Sequence, residues 1–250
     1  MYIQLAIVLF SLINIIQMEE PDITKGPPPY DKPWVSAWGW FGETDPKGWK
    51  ERHDKMLNQT HKHKKDIQIV FYGDSKSEYW IREGKKVWEK YYVDRDGYNY
   101  GIGGDSTRQV LWRIQHKELD GLTPKILVFM IGGNNFHENY NRGTDDEIVK
   151  AEHLIVEQLH EKLPKTQIIF VSQLPRGKND DRARDINNMW DEYLKHHKNP
   201  LFHFVNPYTK YNNSDGTQNL NLYIGDHIHL NEKGYTILAE TLEPLIKKYL

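Results

Sequence analysis

The sequence predicts an α/β domain in which a five-stranded parallel sheet lies between two layers of helices. Three observations lead there. Apolar runs at residues 67–71, 126–131 and 168–171, with a weaker one at 202–205, are short and nearly uninterrupted, as strands buried on both faces must be. Between them the apolar residues take helical spacing, so strand and helix alternate from about Lys47 onward. The runs end in Gly, Asp, Ser and Asn, and a parallel sheet gathers such ends at one rim.

In chain order, Met1–Gln17 carries no charged side chain and contains the apolar run Leu5–Phe10, continued by Leu12, Ile13, Ile15 and Ile16. It is short for a membrane span and reads as a secretory signal peptide, so a secreted protein is expected. Residues 18–46 form an extended lead-in, because Pro21, Pro27, Pro28, Pro29 and Pro33 cannot feed a helix or a central strand. Trp34, Trp38, Trp40 and Phe41 pin that lead-in to the domain or, beside a cleft, grip a sugar ring. Residues 47–250 make one domain, large enough to bury its own core.

Within it, a strand near Tyr98–Gly101 completes five. Ser106 with Gln109, and Thr144 with Glu147, have the spacing of capping boxes that open helices. The second such helix puts Ile148, Ala151, Ile155 and Leu159 on one face, and Ile186, Met189, Trp190 and Tyr193 form another stripe. Asn231 opens a last helix carrying Tyr235, Leu238, Leu242, Leu245 and Tyr249. These stripes are core and receive no ligand.

Composition removes several function classes. A balance of 33 basic against 35 acidic residues leaves no footprint for nucleic acid. The chain has no cysteine, which removes disulfides, thiol catalysis and thiolate metal sites. His61-Lys62-His63 and the pair His227/His229 lack a full ligand set at metal-site spacing, so no metal and no cofactor is expected.

The chemistry starts at Tyr72-Gly73-Asp74-Ser75, where a serine follows directly on an apolar run. A hydroxyl at a strand-to-helix turn is a candidate nucleophile provided that a base, an orienting carboxylate and oxyanion donors accompany it. Asp226 and His229 are three residues apart, so the carboxylate can fold back onto the imidazole. His227 competes, but one residue from the carboxylate it is poorly placed. Gly104, before the helix opened by Ser106, and Asn134, past the third strand, offer oxyanion donors along with the Ser75 amide. Each piece alone is an ordinary turn or cap; all of them at successive strand ends point to acyl transfer.

The ordered set Ser75, Gly104, Asn134, Asp226 and His229 resembles that of the SGNH, or GDSL-type, hydrolase superfamily. Asn99 to Arg113, Gly132-Gly133-Asn134-Asn135, Leu174-Pro175-Arg176-Gly177 and His229-Leu230 are similar to blocks in the catalytic subunits of intracellular platelet-activating-factor acetylhydrolase. The resemblance implies a three-layer α/β/α, flavodoxin-like domain that hydrolyses short-chain acetyl esters through an acyl-enzyme on Ser75, and a homodimer. The implied substrate is a small-molecule ester, a short-acyl phospholipid; the alternatives are an acetylated glycan or, outside enzymes, a binding protein on the same fold. Lys76-Ser77-Glu78 departs from the relatives' mainly apolar sequence after the nucleophile, Gly133 stands where threonine is more usual, and residues 208–223 read as a lengthened loop near the Asp-His pair.

Overall fold

A computed structural model describes residues 32–37, 39, 46–136 and 143–250. The signal-like segment Met1–Gln17, most of the lead-in, Trp38, Trp40 and Phe41 lie outside the described residues. Among the described residues there are five strands: β1 Ile69–Gly73, β2 Gly97–Gly101, β3 Ile126–Met130, β4 Gln167–Val171 and β5 Phe202–Val205. They form one all-parallel sheet of order β2-β1-β3-β4-β5. Seven α-helices accompany them: α1 Pro46–His63, α2 Ser75–Glu78, α3 Lys85–Tyr91, α4 Thr107–Gln115, α5 Asp145–Lys162, α6 Asp180–His196 and α7 Glu232–Tyr249.

Both faces of the central strands β1, β3 and β4 are buried, as their apolar runs require. Alternate strand residues divide between two cores. Val70, Tyr72, Leu127, Phe129, Ile168 and Phe170 pack under α1, α4, α5 and α6. Ile69, Phe71, Val128, Met130, Ile169 and Val171 pack under α3 and α7. Burying one such aliphatic side chain contributes about 1.5–3 kcal/mol.

The helix starts follow the local chemistry. Ser106 and Gln109 cap α4, and Thr144 and Glu147 cap α5, each as a reciprocal box. Asn231 opens α7 by accepting from the amides of Lys233 and Gly234 at 3.0 and 3.1 Å. Residues 32–37 lie against the start of α4: Thr107 donates to Pro33 O at 2.8 Å, and Arg108 Nε to Val35 O at 2.7 Å.

The rim where β1 and β2 end rests on a buried cation. Arg113, on α4, donates to Gly73 O at 3.2 Å and to Tyr100 O, closing on the last turns of both strands. It also binds Asp105 Oδ2 at 2.8 Å and Glu118 Oε2 at 2.9 Å. All three charged side chains are fully buried. Burial by itself raises the Glu118 carboxyl, but Arg113 and His53 outweigh it and hold Glu118 below its ordinary value. Removing one partner from a buried ion pair leaves an uncompensated charge. Arg113→Met should therefore destabilise the fold by about 3–5 kcal/mol in urea unfolding; a loss below about 1 kcal/mol, the level of a surface pair, would contradict this role.

Candidate active site

Gly73 brings the chain out of β1 with φ +135°, and a Cβ there would stand 2.0 Å from Met130 O, so only glycine allows β1 and β3 to close at this point. Asp74 then caps α2, accepting from the Lys76 amide at 2.8 Å. Ser77 Oγ donates back to Tyr72 O at 2.9 Å, which locks the turn. Ser75, the first residue of α2, is therefore held at the rim with its amide at a helix N-terminus.

The loop before α7 reaches the same place. His229 Nε2 lies 2.7 Å from Ser75 Oγ, and His229 Nδ1 lies 2.5 Å from Asp226 Oδ2. Asp226 Oδ1 accepts from the amides of Ile228 and His229, both at 2.9 Å, so the carboxylate is fixed by its own loop. Burial pushes the Asp226 carboxyl up, but the His229 ring and these amides outweigh it and hold it below the ordinary aspartate range. An ionised Asp226 draws the ring proton to Nδ1 and leaves Nε2 to accept from Ser75. Tyr79 stacks on the imidazole at 4.5 Å between centroids, with the Arg82 guanidinium 4.2 Å from the Tyr79 ring centroid. His227, the competitor, is exposed.

The two other loops converge from β2 and β3. Glu78 Oε2 accepts from the Gly103 amide at 2.6 Å, and Gly104 follows with φ +87°. Asn134 Nδ2 donates to Asp105 O at 2.9 Å, which ties its side-chain amide to the Gly104 turn. Asn135 pairs with Thr107 through its side chain, Oδ1 accepting from the amide at 3.2 Å and Nδ2 donating to Oγ1 at 3.0 Å. The residues 208–223 take part as well: Gln218 Nε2 donates to Pro175 O and His227 O at 3.1 and 2.8 Å, bridging the β4 loop to the Asp226–His229 loop.

The structure thus gathers Ser75, Asp226 and His229 in one hydrogen-bonded chain and brings Gly104 and Asn134 beside them. Sequence reasoning missed Tyr79, Glu78 and the role of Gln218, which no motif marks. It also missed Arg176 as a site residue: its guanidinium is buried and donates to Gly133 O at 2.5 Å.

Fold and site together define a carboxylic ester hydrolase. The chain belongs to the GDSL-like lipase/acylhydrolase family, whose model matches residues 71–237. It is 30% identical over 189 residues to the platelet-activating factor acetylhydrolase IB subunit alpha1 of Homo sapiens, covering 74% of this chain and 78% of that one. A GDSL-like lipase from Bacteroides thetaiotaomicron superposes with a TM-score of 0.64 at 21% identity, covering 80% of this chain and 98% of the other. A carbohydrate esterase family 3 protein from Talaromyces cellulolyticus shares the fold at a TM-score of 0.52 and 14% identity, covering 73% and 97%.

A second buried carboxyl supports the β3 rim. Glu152 accepts from Trp190 Nε1 at 2.6 Å and from Gln173 Nε2 at 3.2 Å, and Gln173 Nε2 also donates to Ile131 O. Burial pushes Glu152 up to about 8 despite these bonds, which favours its protonated form. A folded value above the ordinary 4.5 means that the stability it contributes is complete below about pH 4.5 and is lost as pH rises through about 8. Melting temperatures from about pH 5 to about pH 9 should show this fall in the wild type and a flatter profile in Glu152→Gln; identical profiles would remove Glu152 as the source.

Proposed function

We propose that this protein hydrolyses short-chain acyl esters through a covalent ester on Ser75. The observation that carries the reading is the unbroken Asp226–His229–Ser75 chain of 2.5 and 2.7 Å contacts at the rim of the sheet. Ser75 Oγ attacks the ester carbonyl carbon while its proton passes to His229 Nε2. The oxyanion so formed is held by the Ser75 and Gly104 amides and the Asn134 side chain. The bond to the leaving oxygen then breaks, His229 returns the proton to that alcohol, and water admitted to the same path releases the acid from Ser75. Asp226 stabilises the imidazolium that exists between these steps.

A short-acyl phospholipid is the substrate class favoured, on likeness to the acetylhydrolase subunit. The rival glycan reading leaned on stacking tryptophans. Trp34, the described member of that group, has the Lys150 ammonium 3.9 Å from its ring centroid, so that ring is engaged by the domain.

Ser75→Ala should abolish both turnover of 4-nitrophenyl acetate and labelling by a fluorophosphonate; persistence of either would exclude the covalent step. Asn134→Ala should lower kcat roughly 10²–10³-fold with a much smaller change in KM, since an oxyanion donor acts in the transition state; an unchanged kcat would remove Asn134 from that role.

A further inference from the structure

Two cations stand beside Ser75 that the hydrolytic steps do not use. Lys76 follows the nucleophile directly and is 5% exposed; Arg176, from the loop after β4, is 9% exposed. Both reach the backbone of Gly133, the residue before Asn134. A Cβ on Gly133 would lie 2.9 Å from Lys76 Nζ and 2.6 Å from Arg176 Nη1, so the missing side chain is what gives both groups their place.

Each cation keeps unused hydrogen-bonding capacity. Arg176 Nη1 donates to Gly133 O, yet its buried Nε has no hydrogen-bond partner among the described residues. Lys76 uses its amide on Asp74 and its carbonyl on Tyr235, while among the described residues its ammonium makes no hydrogen bond or ion pair. Burial lowers the pKa of each, and the Asp74 and Asp226 carboxylates oppose that shift. A buried ammonium is costly to leave without an anion or a hydrogen-bond acceptor.

The assignment of these groups to one arm of the substrate is by elimination among the substituents of the tetrahedral carbon. Its oxyanion faces Gly104 and Asn134, and its leaving oxygen must face His229 Nε2. The acyl arm takes the remaining direction. The Asp226 side chain, behind His229, is 40% exposed, an open exit suited to leaving groups of any size. Lys76 and Arg176 are enclosed, and enclosure suits a short arm that ends.

We propose that Lys76 and Arg176 form an anion-binding subsite that receives a carboxylate on the acyl arm, so that the preferred substrate is the ester of a short dicarboxylic acid. This rests on the esterase reading of Ser75 and refines its acyl group. Charge-assisted hydrogen bonds of this kind change a binding constant roughly 10–100-fold.

The test compares kcat/KM for 4-nitrophenyl acetate, 4-nitrophenyl hemisuccinate and 4-acetoxybenzoate, which place no charge, a charge on the acyl arm and a charge on the leaving group. The wild type should prefer the hemisuccinate to the acetate. Lys76→Met should lower that ratio roughly 10–100-fold, and Lys76→Arg should keep most of it. A ratio unmoved by Lys76→Met overturns the subsite, and a loss confined to 4-acetoxybenzoate overturns its assignment to the acyl arm. Calorimetric titration of succinate into the Ser75→Ala protein separates this from the esterase reading. If no ester is turned over, binding that weakens roughly tenfold or more when Lys76→Met is added still upholds the subsite; equal binding, or none, overturns it.

Discussion

The site depends on the Arg113 guanidinium more than on any residue within it. This group is planar and fixed in charge, and here it is wholly buried, so every N–H must meet an acceptor in a set direction. Its acceptors are carbonyls at the ends of two adjacent strands, Gly73 and Tyr100, and the carboxylates of Asp105 and Glu118. Ser75 is two residues past the first carbonyl, and Asp105 directly follows Gly104. One rigid fork thereby sets the separation between the turn that carries the hydroxyl and the turn that carries the Gly104 amide. The remaining acceptors bring in α1: His53 lies 3.0 Å from Glu118, and Trp49 donates to Asp105 at 2.7 Å. The helix before the sheet is thus part of the support for a rim at its far end.

The histidine side is built differently. The Asp226–His229 loop is joined to the domain by short polar contacts and one stacked ring, with far less apolar burial than the rim across from it. A carboxylate that uses one oxygen on two backbone amides and the other on the ring holds that loop from within. Gln218 then fastens it to the β4 loop through two carbonyls. Residues 208–223 therefore serve as a brace that spans the cleft mouth and brings the loop containing Arg176 next to the loop containing His229.

The fold and the meeting of Ser75, Asp226 and His229 were legible in the sequence for one reason: they obey local rules. Uninterrupted apolar runs identified four strands to within two residues, Ser106 and Thr144 marked helix starts, and Asp226 with His229 needed only a three-residue spacing. What was illegible is the set of charges placed inside. Helix α4 buries Arg108, Gln109 and Arg113 together with Val110 and Leu111, so no polar face announces itself. Glu152 looks like any helical glutamate until Trp190 and Gln173 arrive from other elements. Charged residues read as surface in a sequence because burial is decided by distant partners, and here those partners are other charges and loop carbonyls. Lys76 was visible only as a departure from its relatives; its enclosure by Gly133 and Arg176 is a property of the assembled rim.

Charge balance explains how a hydrolase tolerates such cations near its imidazole. In the proposed mechanism, a positive group beside His229 opposes the imidazolium formed when Ser75 gives up its proton. The Asp74 and Asp226 carboxylates act on both Lys76 and Arg176, so this group holds two charges of each sign. Arg182, a further cation felt by Arg176, is itself paired with Asp145 at 2.7 Å. A neutral ester leaves this balance as it is, and creating the oxyanion and the imidazolium then separates charge within a set already neutral. An ester with an anionic acyl arm enters with one negative charge in excess, and that excess favours the imidazolium as it appears. On the proposed subsite, a lysine directly after the nucleophile is thus compatible with the imidazolium when the acyl arm is charged.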